Sequence, residues 1–299
     1  MTAVYNRSVM QSQLLRLSLI AVLTCALVSI GDKAAAQEVS IYGMFKSVKS
    51  NQTDVGTFSA ATNPNRFSTF VVPTSNGSVT AASVTLPSGS TATSPQALSN
   101  ANDGTGNFIF QAKFPDQATL DSNYADGTYH MQITGASSTV YTANNLVLTG
   151  GVYPSTTPTI TNTNWSNGSL QVDPSASFTL NWGAFSGAAG TDRIVLTLQN
   201  TTTGQSVFLQ FLSSSTTSET FGAGFFQPNQ NYQGSIDFLK VATFDTTDIS
   251  GATGIAAYAR ETGFSIQTVP EPSTVAMIFL GAGFAGIAAL GSRRRGLRD

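Results

Sequence analysis

Cysteine is almost absent from this sequence: the 299 residues contain one, Cys25. It lies inside an N-terminal apolar run that we expect to be removed. A lipoprotein attachment site there is disfavoured, because more apolar chain follows Cys25. Without it the mature chain can form no disulfide and offers no thiolate as a metal ligand or nucleophile. Disulfide scaffolds, thiolate metal sites and cysteine enzymes are therefore excluded.

Charged residues are also scarce, at 10% of the chain. Residues 37–269 contain 13 acidic and 7 basic side chains, which gives a net charge near −6. Binding to nucleic acid is not expected, because it needs a basic face. Aromatic and β-branched residues recur regularly among abundant Ser, Thr, Asn and Gly. This composition is typical of an extracellular β protein and not of a disordered tail.

His130 is the only histidine. It alternates with Tyr129 and Met131, so we expect it on the solvent-facing side of a strand. Catalysis would need a partnered nucleophile, and metal binding would need a ligand set. No G-x-S-x-G element is present to supply a serine nucleophile. We therefore predict no catalytic residue, no metal site, no cofactor and no enzymatic activity.

Two pairs of aspartates are the candidates for carboxylate chemistry: Asp121 with Asp126, and Asp245 with Asp248. Paired carboxylates can serve a glycoside hydrolase, and loops with several oxygen ligands can hold calcium. Neither loop matches an EF-hand pattern. Turns in β proteins are rich in aspartate for backbone reasons, and we favour that interpretation for both pairs.

The N-terminus has the organisation of a secretory signal peptide. Two arginines precede an apolar run at residues 17–30, and Ala34, Ala36 and Gln37 follow it. A basic region, a short apolar region and a small-x-small cleavage site define such signals. Fourteen residues are too few to span a bilayer comfortably. We predict a signal peptide at 1–36, cleaved between Ala36 and Gln37.

The C-terminal tail, residues 269–299, has three parts in a fixed order. A Pro-Glu-Pro triplet comes first, an uncharged stretch at 273–292 follows, and an arginine cluster ends it. The stretch would form a transmembrane helix of about 30 Å, but its glycines leave it only marginally hydrophobic. The arginines keep their end of the helix cytoplasmic, so the body lies outside. The residues that define the signal are Pro270, Glu271, Pro272, Arg293, Arg294 and Arg295.

This tail resembles the PEP-CTERM sorting signal. The resemblance implies recognition and cleavage near the triplet by exosortase, a membrane-embedded transpeptidase. It also implies export across the inner membrane, transient anchoring there, and final placement at the cell surface or outside the cell. Exopolysaccharide is a further partner that the resemblance suggests. A plain single-pass anchor is the alternative interpretation.

The region between signal peptide and tail predicts an all-β fold of two tandem β-sandwich modules, followed by the C-terminal transmembrane helix. Short strands with a period of two alternate with turns, and no sustained helical period occurs. We place the first module at 37–149, a Gly- and Pro-containing linker at 150–157, and the second module at 158–268. An Asn-Gly pair at 76–77 predicts a hairpin turn.

The second module resembles a fibronectin type III domain. Trp182 shares a strand face with Phe178 and Leu180, where that family has a core tryptophan. Gln227-Pro228 followed by Tyr232 is similar to its tyrosine corner, in which a buried hydroxyl satisfies a backbone group. A long loop at 243–257 departs from the family pattern and could bind a ligand.

Three hypotheses for function remain. The first is a structural protein of the cell surface or extracellular matrix, without catalytic activity. The second is a polysaccharide-binding or adhesion module, with contacts through Trp165 or the loop at 243–257. Trp165 lies among turn residues and is expected to be exposed, whereas Trp182 is expected in the core. The third is a glycan hydrolase that uses Asp245 and Asp248.

Overall fold

The structure, a computed structural model, describes residues 37–269. The predicted signal peptide with Ala34 and Ala36, the span at 273–292, and the sorting residues from Pro270 onward lie outside these residues. Strands dominate the described part, and one short helix accompanies them. The all-β class is therefore confirmed. No helix between residues 37 and 269 is long and apolar enough to cross a bilayer.

Seven strands and one short helix form the first half of the described chain. The strands are β1 (Val39–Asp54), β2 (Thr57–Pro73), β3 (Val79–Thr85), β4 (Gln96–Asn100), β5 (Phe108–Phe114), β6 (Gly127–Gly135) and β7 (Val140–Leu148). The helix α1 (Gln117–Asn123) begins after Asp116, whose side chain caps it by accepting a hydrogen bond from the Thr119 amide. The sequence pattern missed this helix because seven residues are too few to show a helical period.

Eight strands form the second half. They are β8 (Trp165–Ser166), β9 (Ser169–Val172), β10 (Phe178–Asn181), β11 (Arg193–Asn200), β12 (Ser206–Ser213), β13 (Ser218–Phe221), β14 (Asn231–Asp245) and β15 (Thr253–Thr268). The predicted loop at 243–257 is wrong in extent, because β14 and β15 occupy both of its ends. Ala256 and Ala257 belong to β15 and are fully buried there. Their segment is therefore part of the sheet and not of a loop.

Thirteen strands belong to one sheet. Its main order is β12-β11-β14-β15-β1-β2-β5-β4-β3-β6-β7, with β9 added to the end of β15 and β8 to β9. Strands β10 and β13 form a separate two-stranded sheet. The Asn76-Gly77 turn is present, but the predicted hairpin is wrong: β3 pairs with β4 and β6. Both edges of β2 are already hydrogen-bonded to β1 and β5, so β3, the strand after the turn, does not pair with β2.

The first and last described strands lie side by side at the centre of this sheet. β1 and β15 pair in parallel over eleven consecutive residue pairs, from Ile41 opposite Thr253 to Asn51 opposite Gly263. The strands of the two predicted modules therefore share one hydrogen-bonded sheet. The module boundaries at 149 and 158 stay a prediction, and residues 150–157 form no strand.

The first hydrophobic core lies among β1, β2 and β5 on one side and β3, β6 and β7 on the other. Tyr129, Met131 and Ile133 alternate along β6 and are all fully buried, as the period of two predicts. At the far side β7 approaches β14. There the Thr243 hydroxyl donates to the Val147 carbonyl at 2.8 Å and accepts from the Val147 amide at 3.1 Å.

The second core forms between the β10–β13 pair and strands β11, β14 and β15. Trp182 is 3% exposed in this core, and its indole donates to the Thr216 carbonyl at 2.9 Å. Tyr232 is equally buried, and its hydroxyl accepts from the Gln227 amide at 2.7 Å. The core tryptophan and the tyrosine corner are both confirmed, which supports the fibronectin type III-like arrangement of this half.

Candidate functional site

A cleft of about 360 Å³ lies where β1, β2 and β5 meet β11, β12 and β14. We call it the central cleft, because the two halves of the chain form its opposite walls. Its lining combines aromatic, aliphatic and polar side chains, which include Phe45, Phe70, Ile109, Gln111, Val195, Thr197, Leu209, Phe211 and Asp237. Apolar walls with a few polar groups are typical of small-molecule sites.

Three phenylalanines bridge the two walls of the central cleft. The Phe45 and Phe70 ring centroids are 5.8 Å apart, and those of Phe70 and Phe211 are 6.2 Å apart. Phe211 and Leu209 point into the cleft because β12 alternates, with Phe208 and Leu212 packed on the second core. The same alternation leaves Leu209 38% exposed. Each wall therefore presents aromatic or aliphatic faces to a ligand.

A charged group lies in the same face of the sheet, beside the cleft. Lys49 donates to Glu261, and the Arg66 guanidinium lies 3.5 Å from the other oxygen of that carboxylate. Asp237 stands opposite Glu261 on the neighbouring strand and lines the cleft. Its Oδ2 accepts from the Ser235 hydroxyl at 3.4 Å, whereas its Oδ1 has no hydrogen-bond partner among residues 37–269.

Asp237 is shifted toward its neutral form. Burial raises the pKa of Asp237 well above its ordinary value, and the Glu261 carboxylate raises it further. Lys49, Ser235 and Arg66 lower the pKa without offsetting these two effects. A neutral carboxyl group can donate as well as accept a hydrogen bond. The Asp237 carboxyl group is thus a buried polar group between apolar walls, and in its neutral form it can donate a hydrogen bond to a ligand or accept one.

Asp237→Asn is expected to stabilise the protein at alkaline pH. Below the unfolded pKa of about 3.9, both states hold the proton and Asp237 contributes nothing. Above that value the unfolded chain releases the proton while the folded chain keeps it. Stability therefore falls as pH rises toward the folded pKa. Urea unfolding at about pH 4 and about pH 8 should show a gain on the order of 1 kcal/mol at the higher pH only.

Asp173→Asn is the matched control for this measurement. Hydrogen bonds from the Ser175 hydroxyl and amide lower the pKa of the exposed Asp173 carboxyl. Its stabilising contribution is present above the unfolded pKa and is lost as pH falls through the folded pKa. The control should therefore lose stability at neutral pH. A pH profile of Asp237→Asn parallel to that of the unsubstituted protein would contradict the assignment.

A second polar cluster surrounds Lys46, which β1 directs into the first core. The Lys46 side chain is fully buried, and its ammonium donates to Asp121 at 2.7 Å and to Asp126 at 2.8 Å. The Tyr258 hydroxyl donates to the other oxygen of Asp126 at 2.7 Å. The structure therefore brings together the first predicted aspartate pair, but around a lysine and not around an open substrate position.

The second predicted pair serves the backbone. Asp248 accepts hydrogen bonds from the Asn144 and Asn145 amides at 2.6 and 2.8 Å. Asp245 accepts from Tyr42 at 2.7 Å and from Thr247. Burial opposes ionisation of Asp245, but these hydrogen bonds outweigh it and lower its pKa to about 2. Both carboxylates are thus occupied by protein donors, as the turn interpretation expects.

The remaining predicted positions lie apart from the central cleft. His130 is exposed, as expected, and faces Asn144 at 3.2 Å. Trp165 is half-buried and not exposed: its ring packs against the second core and its indole donates to the Asn162 carbonyl at 2.8 Å. Its predicted glycan contact stays a prediction. Residues 37–269 contain no group of three or more His, Cys, Asp or Glu that could hold a metal ion.

Residues 268–295 match the model of the PEP-CTERM protein-sorting motif. The chain carries a PEP-CTERM sorting motif. The matched residues contain all six of the predicted sorting-signal positions, from Pro270 to Arg295. This PEP-CTERM motif marks the chain as an exosortase-sorted protein destined for the cell surface or the extracellular space. Comparison with curated protein sequences finds no match.

Two solved structures show distant likeness to this chain. One is described as "Biofilm associated protein - BSP domain", with 12% identity and a TM-score of 0.19, covering 77% of this chain and 30% of that one. The other comprises chicken CNTN1 FN1–FN3 domains, with 9% identity and a TM-score of 0.24, covering 77% and 65%. The chain spans less than two thirds of either structure.

Sequence reasoning missed Lys46 and Asp237 as site residues. Each sits on a strand as an ordinary alternating position, and nothing in its neighbours distinguishes it from a surface charge. One signal was available in the sequence. Only 10% of the residues are charged, so a charged residue within a strand has few oppositely charged residues with which it can pair. That signal identifies candidates, but only the strand order shows which partners they meet.

Proposed function

We propose that the protein is a structural component of the cell surface or matrix, processed by exosortase at its C-terminal tail. The observation that carries this proposal is the PEP-CTERM motif at residues 268–295, which begins at Thr268, the last residue of β15. The ectodomain supports it, because one sheet runs through both halves and joins them into one body. Cleavage near Pro270-Glu271-Pro272 would release this body from transient attachment to the inner membrane.

Mass spectrometry of the mature C-terminus in the native host tests the processing. The expected product begins at Gln37 and ends near Pro272, without the span and arginines. Deletion of the exosortase gene should leave the complete tail on the protein and retain it in the membrane fraction. Recovery of intact chains containing Arg293 from the outer surface of the normal host would contradict cleavage.

The central cleft favours a second candidate function, binding of surface polysaccharide. Phenylalanine faces from both walls can pack against the apolar faces of a sugar ring, and Gln111, Thr197 and Asp237 offer hydrogen bonds to hydroxyl groups. The net charge near −6 disfavours acidic polymers. We therefore place the candidate contact for a neutral glycan at the cleft, with Trp165 as the competing position.

Phe211→Ala is expected to weaken glycan binding about fivefold, because one stacked ring contributes on the order of 1 kcal/mol. A glycan array identifies the ligand, and titration calorimetry measures the affinity. Phe58→Ala is the matched control, since Phe58 is 39% exposed on β2 and does not line the cleft. Loss of binding in Trp165→Ala with full binding in Phe211→Ala would move the contact to Trp165.

A further inference from the structure

The Lys46 cluster takes part in neither sorting nor the central cleft. An ammonium group has three protons, and the structure gives the Lys46 Nζ two acceptors, one oxygen each from Asp121 and Asp126. The side chain itself is fully removed from water. A buried ion pair is favourable only when its hydrogen bonds are complete, because desolvation of the charges is expensive. The Asp121 and Asp126 side chains are 44% and 38% exposed, so the desolvation cost falls on the Lys46 ammonium, and conversion of Lys46 to a neutral amide would remove it.

Aromatic rings form the environment of this lysine. In the sheet Lys46 stands beside Phe67 on β2 and Tyr258 on β15. The Phe67 ring stacks on Tyr124, with a centroid distance of 4.1 Å. Tyr153 lies 5.2 Å from the Tyr258 ring, and its buried hydroxyl has no hydrogen-bond partner among residues 37–269. The amine is thus held on a rigid strand, in contact with two carboxyl groups and screened from solvent on its own side.

We propose that Lys46 and Asp121 form an intramolecular isopeptide bond, with Asp126 as the proton-transfer group. The two aspartates differ in their bonding. Lys46 and Tyr258 hold both oxygens of Asp126, whereas among residues 37–269 Asp121 bonds only to Lys46 and its second oxygen has no hydrogen-bond partner. Asp121 is therefore the carboxyl group that can lose an oxygen, and Asp126 is the one fixed to exchange protons.

The reaction is a condensation that balances without an oxidant or cofactor. Asp126 accepts a proton from the Lys46 ammonium, and the free amine attacks the Asp121 carboxyl carbon to form the N–C bond. The second amine proton and the proton held by Asp126 pass to one Asp121 oxygen, whose C–O bond breaks as water leaves. An ammonium and a carboxylate become a neutral amide and one water molecule. Holding the groups in contact supplies the proximity that such a step requires.

The bond would connect β1 to α1, which are separated by 75 residues between Lys46 and Asp121. A cross-link that closes a long loop stabilises the folded chain by restricting the unfolded ensemble, as a disulfide does. The mature sequence has no cysteine with which to make a disulfide. An amide cross-link would provide that stabilisation and would not depend on the redox state of the surroundings.

The test is the mass of the exported protein after expression of the full-length chain, compared with the sequence between the two termini that mass spectrometry finds for it. The folded protein should be one water mass lighter than its sequence requires. Trypsin should fail to cleave after Lys46 and should yield a branched peptide that joins Lys46 to Asp121. Fragmentation by tandem mass spectrometry locates the bond. A sequence mass without loss of water, with ordinary cleavage after Lys46, would show an ion pair only and would overturn the proposal.

Variants separate the roles within the cluster. Lys46→Arg and Asp126→Ala should both restore the full sequence mass, and Asp121→Asn should give the wild-type product by losing ammonia instead of water. Lys49→Arg, on the same strand and paired with Glu261, is the control that should keep the cross-link. A branch at Asp126 would overturn the assignment of Asp121. The wild-type mass decides the existence of the bond even if a variant fails to fold.

Discussion

Gly43→Ala is expected to destabilise the ectodomain by more than about 3 kcal/mol. Gly43 lies in the first third of β1, between Phe70 on β2 and Ile255 on β15. A Cβ atom at this position would lie 2.1 Å from the Ile255 carbonyl oxygen, which belongs to the backbone. No side-chain rotation can relieve that contact, so the parallel pairing of β1 with β15 would have to separate. Urea unfolding monitored by circular dichroism measures the change.

Gly190→Ala is the matched control for the Gly43 substitution. A Cβ atom at Gly190 meets no atom within 4 Å, and its backbone needs no left-handed conformation. The control should unfold within about 0.5 kcal/mol of the unsubstituted protein. Equal stability of the Gly43 and Gly190 variants would show that β1 and β15 are not in contact at this register.

Trp182→Ala is expected to cost about 3–5 kcal/mol of unfolding free energy, the range for removal of a large buried aromatic side chain. Trp182 is 3% exposed, and the Thr216 carbonyl that accepts its indole N–H would lose its partner. Trp165→Ala is the natural comparison, because Trp165 is only half-buried at the edge of the same core. Its loss should cost about 1 kcal/mol.

The same pair of variants assigns the intrinsic fluorescence, since these are the two tryptophans of the chain. The Trp165→Ala protein retains the buried fluorophore and should show blue-shifted emission that moves to longer wavelength on unfolding. Denaturation of both variants by urea gives the two free energies. A larger loss for Trp165 than for Trp182 would mean that Trp182 does not lie at the centre of the second core.

Local patterns in the sequence predicted the parts of this fold that depend on local physics. Alternation along β6 placed Tyr129 and Met131 in the first core and His130 on the exposed face, since side chains of a strand alternate between its two faces. The tyrosine corner was also predictable, because its donor and acceptor, Gln227 and Tyr232, are five residues apart. The sorting motif was also predictable from the sequence, because its three parts follow one another directly along the chain.

The parallel pairing of β1 with β15 could not be predicted, because more than two hundred residues separate partners such as Ile41 and Thr253. An alternating strand shows which face is buried but not which strand lies beside it. The central cleft and the Lys46 cluster both depend on that pairing. For that reason the sequence pointed to Trp165 and to the loop at 243–257, whereas the structure brings polar and aromatic groups together at Asp237, Phe211 and Lys46.

The central position of β15 has a consequence for biogenesis. β1 reaches the outside of the membrane first and β15 last, yet each needs the other to complete its hydrogen bonding. Long-range pairing of this kind forms slowly and only after its last partner is available. We therefore expect the sheet to close only after Thr268 has been exported, when the sorting motif that follows β15 is the next segment of the chain. Completion of the fold and recognition of the motif by exosortase would then be successive events at the same end of the chain.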